Sequence, residues 1–259
     1  MTDRVNDGTE VRWQKLRREQ VAAASAAGGT VVVPIGSIEQ HGPHLPLDTD
    51  TDAVTAVALR AARQVTDPPV LVLPPVSWGL SPYWLPFSGT LSLRPETILA
   101  LFNDLVSSVA RHGFRRMVIV NGHGGNAGII QVAATMAAEH GVRAVAFSYW
   151  NLIAEEMRAL TRRDRGGIGH AGEVETSLAL YLQPEFVAQE LAGPESCADL
   201  AAMMAEPFAG VAYGPPDPAR ESPHGVYGSA PDGRRELGEQ VVGLAADRFA
   251  DYLRQFARS

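Results

Sequence analysis

The sequence predicts an α/β fold in which a mostly parallel sheet lies between two layers of helices. Two observations predict it. Short β-branched runs alternate with longer amphipathic segments, and those runs are apolar on both faces rather than alternating. Length agrees, because 259 residues with 46% hydrophobic content can bury a sizeable core and suit one α/β domain better than two small ones.

Taken in order, residues 1–29 form an N-terminal segment whose Val21 to Ala27 stretch is rich in good helix formers. The first strand is expected over Thr30 to Pro34, a helix over Asp52 to Val65, and the second strand over Val70 to Leu73. Pro95 suits the first turn of a helix that runs to His112 and stops at Gly113. The strand Met117 to Val120 leads to a helix over Gly128 to His140, ended by Gly141, and then to the strand Val142 to Phe147. From Pro184 to Arg235 Pro, Gly and Ser weaken the pattern, but helical periodicity returns over Glu236 to Arg254. That return makes the stretch an excursion within one domain, spanning 1–259, rather than a linker.

Composition removes several classes of function. With 22 Lys+Arg against 29 Asp+Glu, the chain lacks the basic footprint of a nucleic-acid or anionic-membrane binder. No apolar run approaches the ~20 residues of a membrane span, and acidic and basic residues interrupt the N-terminus, so a cytoplasmic protein is expected. Lys15 is the one lysine, which excludes Schiff-base, pyridoxal-phosphate and P-loop chemistry. Cys197 is the one cysteine and lies in a polar segment without a neighbouring histidine, a poor setting for a thiol nucleophile.

Chemistry concentrates in three places. Directly after the first strand, a dozen residues hold Glu39, His41, His44, Asp48 and Asp50. In extended chain Glu39 and His41 point the same way, and the turn at Gly42 and Pro43 lets Asp50 come back to them. Oxygen and imidazole donors without thiolate suit zinc, manganese or iron, and a shared aspartate bridges paired ions. His44 and Asp48 read as supporting residues.

The second place is Asn121-Gly122-His123-Gly124-Gly125-Asn126, which follows a strand and precedes a helix. Ligands collect beyond the carboxyl ends of parallel strands, so this loop and the Glu39 loop share a crevice if their strands are neighbours. Gly122, Gly124 and Ala127 also fit a dinucleotide fingerprint. A histidine among the glycines would crowd a pyrophosphate, however, and no acid for a ribose follows before Glu155, which argues against a nicotinamide-dependent oxidoreductase.

The third place, from Gly169 to Ser177, reads as a helix start. Val174, Leu178 and Leu182 form one stripe at helical spacing; Glu175 falls near that buried side and Glu173 almost opposite it. A carboxylate turned toward a core needs a cation, so Glu175 is a candidate ligand, with Glu173 as the alternative or a catalytic group. His170 has the pKa range of a general acid and base. Trp78, Tyr83, Trp84 and Phe87, with Ser81, Ser88 and Thr90, form an aromatic loop suited to walling a pocket or to packing in the core.

Together, the Glu-Gln-His-Gly segment, the Asn-Gly-His-Gly-Gly-Asn loop and His-Ala-Gly-Glu-x-Glu-Thr-Ser resemble the creatininase (creatinine amidohydrolase) family. The likeness runs from about Val31 to Pro184 and includes Phe87-Ser88-Gly89-Thr90 and Ser148-Tyr149-Trp150. It implies a three-layer α/β/α sandwich, a site for two divalent metal ions, hydrolysis of an amide C–N bond, and a homo-oligomer, specifically a hexamer. By motif position Glu39, His41, Asp50 and His123 carry over as ligands, with Asp50 bridging, and His170 as an active-site residue. One departure is plain: creatininases carry Tyr-Glu after the metal-binding histidine, where this chain has Gly124 and Gly125. Glu175 or Glu173 must then supply the missing ligand. A tryptophan ahead of the later histidine is also replaced, near Gly166, whereas Trp150 remains.

The resemblance implies that a hydroxide held between two cations attacks a carbonyl carbon while His170 delivers a proton to the departing nitrogen. Trp150, Gly124, Ser81 and Trp84 are the expected substrate contacts. Creatinine or another cyclic amide, a formamide, and a modified peptide of the mycofactocin-maturation type are the substrate alternatives, and the two glycines favour something bulkier than creatinine. A binding module without catalysis is the rival from another class.

Overall fold

The computed structural model describes residues 10–161, 169–193 and 221–258. Cys197, Gly166 and most of the Pro184 to Arg235 excursion lie outside the described residues.

Four parallel strands form one sheet in the order β2-β1-β3-β4: β1 (Thr30–Ile35), β2 (Val70–Val72), β3 (Arg116–Asn121) and β4 (Arg143–Ser148). The helices are α1 (Arg18–Ala26), α2 (Thr49–Arg63), α3 (Pro95–Arg111), α4 (Ala127–Met136), α5 (Ala154–Leu160), α6 (Glu173–Leu182) and α7 (Arg235–Arg258). Among the described residues no helix is long and apolar enough to cross a membrane.

Alternation along the strands sorts side chains into two cores. Val32, Val118 and Val120 face α2, α6 and α7, whereas Val31, Val33, Ile35, Met117 and Ile119 face α1, α3 and α4. The expected helical layer therefore covers each face. β4 departs from the continuous burial predicted for it: Ala144 to Phe147 are only half-buried, because β4 lies at the sheet edge with no strand beyond it among the described residues. The helix predicted over Gly128 to His140 is α-helical only to Met136 and tightens into a 3₁₀ turn over Ala137–His140, ahead of Gly141 in left-handed conformation.

The strand order places the site. From β1 the chain passes through α2 to β2 on one side, then returns through α3 on the opposite face to β3 on the other side of β1. The reversal opens a crevice beyond the carboxyl ends of β1 and β3, where the Glu39 and His123 loops begin. Two glycines then let α2 close in. A Cβ on Gly36 would lie 2.5 Å from Thr51 Cα, and one on Gly122 would lie 2.5 Å from the Asp50 carbonyl oxygen. The first turn of α2 is thus drawn between the two loops, with Asp50 at its tip.

Candidate metal centre

Asp50 stands between two sets of donors. Its Oδ2 lies 3.1 Å from His123 Nδ1, which is 3.3 Å from Glu39 Oε1; its Oδ1 lies 3.3 Å from His41 Nε2, which is 3.4 Å from Glu175 Oε2. Metal–ligand bonds of about 2.0–2.2 Å put neighbouring tetrahedral donors about 3.4 Å apart, so both trios have the spacing of a cation's ligand shell. Glu39, Asp50 and His123 form one trio and His41, Asp50 and Glu175 a second, the two that share Asp50; Glu39, His41 and His170 lie close enough to form a third among the described residues.

Hydrogen bonding fixes which atoms face inward. His41 Nδ1 donates to the Glu39 carbonyl oxygen at 3.1 Å, which leaves the Nε2 lone pair toward Asp50 and Glu175. His123 Nε2 donates to the Leu80 carbonyl oxygen at 3.2 Å, which leaves Nδ1 toward Glu39 and Asp50. A backbone carbonyl behind an imidazole is the usual brace of a metal-ligating histidine. Glu39 Oε1, His41 Nε2 and Asp50 Oδ2 are buried without any hydrogen-bond partner. Lone pairs facing carboxylate oxygens in a buried space repel one another, and a cation reverses the sign. The residues present therefore fit a pair of divalent ions.

The electrostatics make the same demand. Burial opposes charge on His41, yet Asp50, Glu175 and Glu39 outweigh it and lift its pKa to about 10. Burial likewise opposes charge on His123, and Glu39 and Asp50 again prevail and raise it well above the ordinary value. Burial, assisted by Asp50 and Glu39, pushes Glu175 up to about 7 against the pull of His41.

His170 completes the cluster. Its Nε2 donates to the Gln40 carbonyl oxygen at 2.7 Å, and its Nδ1 lies 3.5 Å from Glu39 Oε1 and 4.0 Å from Glu175 Oε2. Burial, then the charge of His41, holds its pKa well below the ordinary value, so the ring is neutral with its Nδ1 lone pair facing the acids. Trp84 stacks on it with centroids 4.1 Å apart, and His41 lies 4.3 Å away on ring contact of its own.

Beside these groups opens a pocket of about 350 Å³. Trp84 and Trp150 wall it together with Tyr83, Tyr149 and Tyr227, and Gly124 forms part of its lining. The two glycines that replace Tyr-Glu differ sharply. A Cβ on Gly124 would meet nothing within 4 Å, whereas one on Gly125 would collide with the Leu80 carbonyl, His123 Nε2 and the Tyr83 hydroxyl. The backbone at 125 thus excludes any side chain, and the carboxylate facing His41 comes instead from α6.

Other expected residues lie elsewhere. Ser81 is not on the pocket wall: it is fully buried behind Glu39 and His123, where its hydroxyl donates to Glu39 Oε2 at 2.5 Å and lies 2.6 Å from Ser37 Oγ. Glu173 does diverge from Glu175, but it is the more deeply buried of the two, at 1% against 24% exposed. Arg234, just ahead of α7, meets its carboxylate at 2.6 Å and covers the helix face opposite the Val174, Leu178 and Leu182 stripe. Trp78 is half-exposed and off the wall of the pocket. Asp48 accepts from Gln183 at 3.2 Å, and His44 lies 2.9 Å from Thr176 Oγ1. Tyr149, Tyr227 and Gln40 are contributors that the motifs did not single out as site residues, and Tyr83, named only as part of the aromatic loop, joins them. Their polar or aromatic character beside the clusters was the available signal for Gln40 and Tyr83; Tyr227 sits in the aperiodic excursion and gave none.

Comparison with known proteins accords with this geometry. The family model for creatininase, described as creatinine amidohydrolase, matches residues 14–253. The mycofactocin precursor peptide peptidase of Mycobacterium ulcerans (strain Agy99) is 34% identical over 223 residues, covering 82% of this chain and 81% of that protein. Creatinine amidohydrolase of Pseudomonas putida is 29% identical over 265 residues, 95% of each chain. A solved structure of the manganese form of creatininase superposes with a TM-score of 0.83 at 29% identity, covering 95% of this chain and 98% of that one. With a family match that spans nearly the whole chain, residues 14–253, the chain belongs to the creatininase family.

Proposed function

We propose that this chain hydrolyses an amide C–N bond in a substrate bulkier than creatinine, using two divalent cations, zinc or manganese foremost. Glu39, Asp50 and His123 would hold one ion, and His41, Asp50 and Glu175 the other. When bound, such a pair acidifies water and polarises a carbonyl. The observation that supports the reading most is the Asp50 carboxylate, whose two oxygens face two different histidines, each with a second carboxylate beside it.

The chain's own residues supply the rest. His170 takes a proton at Nδ1 from the attacking water and returns it to the departing nitrogen; its Nε2–H, fixed on the Gln40 carbonyl, and the Trp84 ring hold that orientation. Glu173 stays with Arg234 and outside this chemistry. The aromatic walls exclude water and grip an apolar group. Open space at Gly124 supports a larger substrate, since about 300–1,000 Å³ is the range of sites that take drug-sized ligands and this pocket reaches 350 Å³. A short or modified peptide amide fits that description, in keeping with the peptidase relative. A creatinine-sized cyclic amide is the second reading, favoured by the retained Trp150 wall.

Protein reconstituted with zinc or manganese and offered creatinine, an N-formylated amine and short peptide amides tests the proposal. Turnover of a peptide or formyl substrate above creatinine, abolished by chelation, is expected. Turnover of creatinine alone overturns the size argument, and undiminished turnover after exhaustive chelation overturns the metal chemistry. The same reading takes the chain as one cytoplasmic domain that assembles as a homo-oligomer, a hexamer by likeness, which light scattering on the full chain checks.

A further inference from the structure

His41 and Glu175 come from distant stretches of the sequence, yet their facing atoms lie 3.4 Å apart. A short polar chain connects the loop of one to the helix of the other. His44, 1% exposed, follows His41 by one turn of chain, and its Nε2 is 2.9 Å from Thr176 Oγ1. Thr176, fully buried, follows Glu175 directly on α6, and its hydroxyl lies 3.4 Å from the Ala171 carbonyl oxygen. The Ala171 N–H donates to Glu175 Oε2. Among the described residues Ala171 is the one non-glycine with positive φ, 53°, a conformation disfavoured for L residues that persists only where its surroundings enforce it.

The direction of the chain follows from what is left over. His44 Nδ1 is buried without a hydrogen-bond partner. An N–H stranded there is costlier than a lone pair, so the proton belongs on Nε2. His44 then donates to Thr176 Oγ1, and the Thr176 hydroxyl donates to Ala171. The Glu39 and His123 trio is braced by other groups: Ser81 on Glu39, the Leu80 carbonyl on His123, and Asn126, whose Oδ1 accepts the Leu80 N–H at 2.9 Å.

We propose that His44 and Thr176 are positioning residues that set the His41–Glu175 half of the centre and leave the Glu39–His123 half independent. The inference rests on the two-metal reading above, and its test separates the two. Metal-free full-length protein is titrated calorimetrically with Zn²⁺; two binding steps are expected, and Glu175→Gln identifies the step that belongs to the His41 half. Thr176→Val keeps the shape that packs against Gly233 but removes the hydroxyl, and should weaken that step by about 10–100-fold, the usual effect of losing a group behind a metal ligand. The other step should not move, and Thr176→Ser should restore the first. His44→Asn should weaken the same step, and combining it with Thr176→Val should add little. Imidazole nitrogen NMR of the metal-free protein should show His44 protonated at Nε2. Both steps unchanged in Thr176→Val, both weakened equally, or no rescue by serine would overturn the inference while the metal reading stands; wild-type protein that takes up no zinc would overturn both.

Discussion

The two halves of the centre share Asp50 but are built by different means. Glu39, Asp50 and His123 are each no more than 4% exposed and ride on the ends of β1 and β3 and the first turn of α2, where the sheet itself sets their spacing. The other half needs Glu175, which is 24% exposed and turns back over the start of α6 to the Ala171 N–H, much as a third-position glutamate turns back in a capping box. One half inherits its precision from strand register and the other from a helix brought in over a strained turn. The halves should therefore differ in affinity, with the strand-end half the tighter.

Removing ligands gives the largest effects. Asp50→Ala takes a donor from both halves, and kcat/KM should fall by at least about 10³-fold, about 4 kcal/mol of barrier, with elemental analysis showing loss of bound metal. Glu175→Gln should leave one ion in the strand-end half and cost more than the about 10–100-fold seen when only an outer support is lost. Equal loss of both ions in Glu175→Gln would break the comparison.

Adjacent glycines sharpen it next. Gly125→Ala forces a methyl onto His123 Nε2 and its neighbours, so urea unfolding should show a loss of about 1–3 kcal/mol and the strand-end half should weaken. Gly124→Ala should be close to neutral in stability. Gly124→Tyr should fill the pocket and shift selectivity toward smaller amides without loss of metal.

Glu173→Gln probes the acid beside the centre rather than in it. Its pairing with Arg234, which is 44% exposed, is partly screened, so a stability loss of about 1–2 kcal/mol is expected with two ions still bound. A change in metal stoichiometry would place Glu173 in the site.

A further effect is in pH dependence. Burial, with the charge of His41, pushes the His44 pKa down to about 4 from the ordinary 6.5. Between those values the unfolded chain binds a proton that the folded chain refuses, so stability is full above about pH 6.5 and falls as the pH drops toward 4. His44→Asn should flatten this part of the profile in metal-free protein, measured by chemical denaturation at pH 7 and pH 5.

The same contrast governs what could be read in the sequence. The sheet and the Glu39, His41, Asp50 and His123 donors were legible, because short apolar strands announce themselves and parallel sheets gather ligands at their carboxyl ends. Glu175 was reachable through the helical stripe and the gap left by Gly125. The surroundings of Glu173 were not, since Arg234 arrives from a distant segment that no local period connects to α6. Ser81 misled for a related reason: a serine among aromatics reads as pocket wall, whereas close packing of Ser37, Ser81 and Glu39 turns its hydroxyl inward. Nor does local pattern tell an edge strand from a central one, which is why the half-exposure of β4 came only with the sheet order.

Anomalous diffraction from crystals grown with zinc or manganese tests the central claim most directly. Two peaks about 3.5–4 Å apart, astride the Asp50 carboxylate with His123 on one and His41 on the other, are the predicted result. A single peak, or two that leave Asp50 on one ion only, would contradict it.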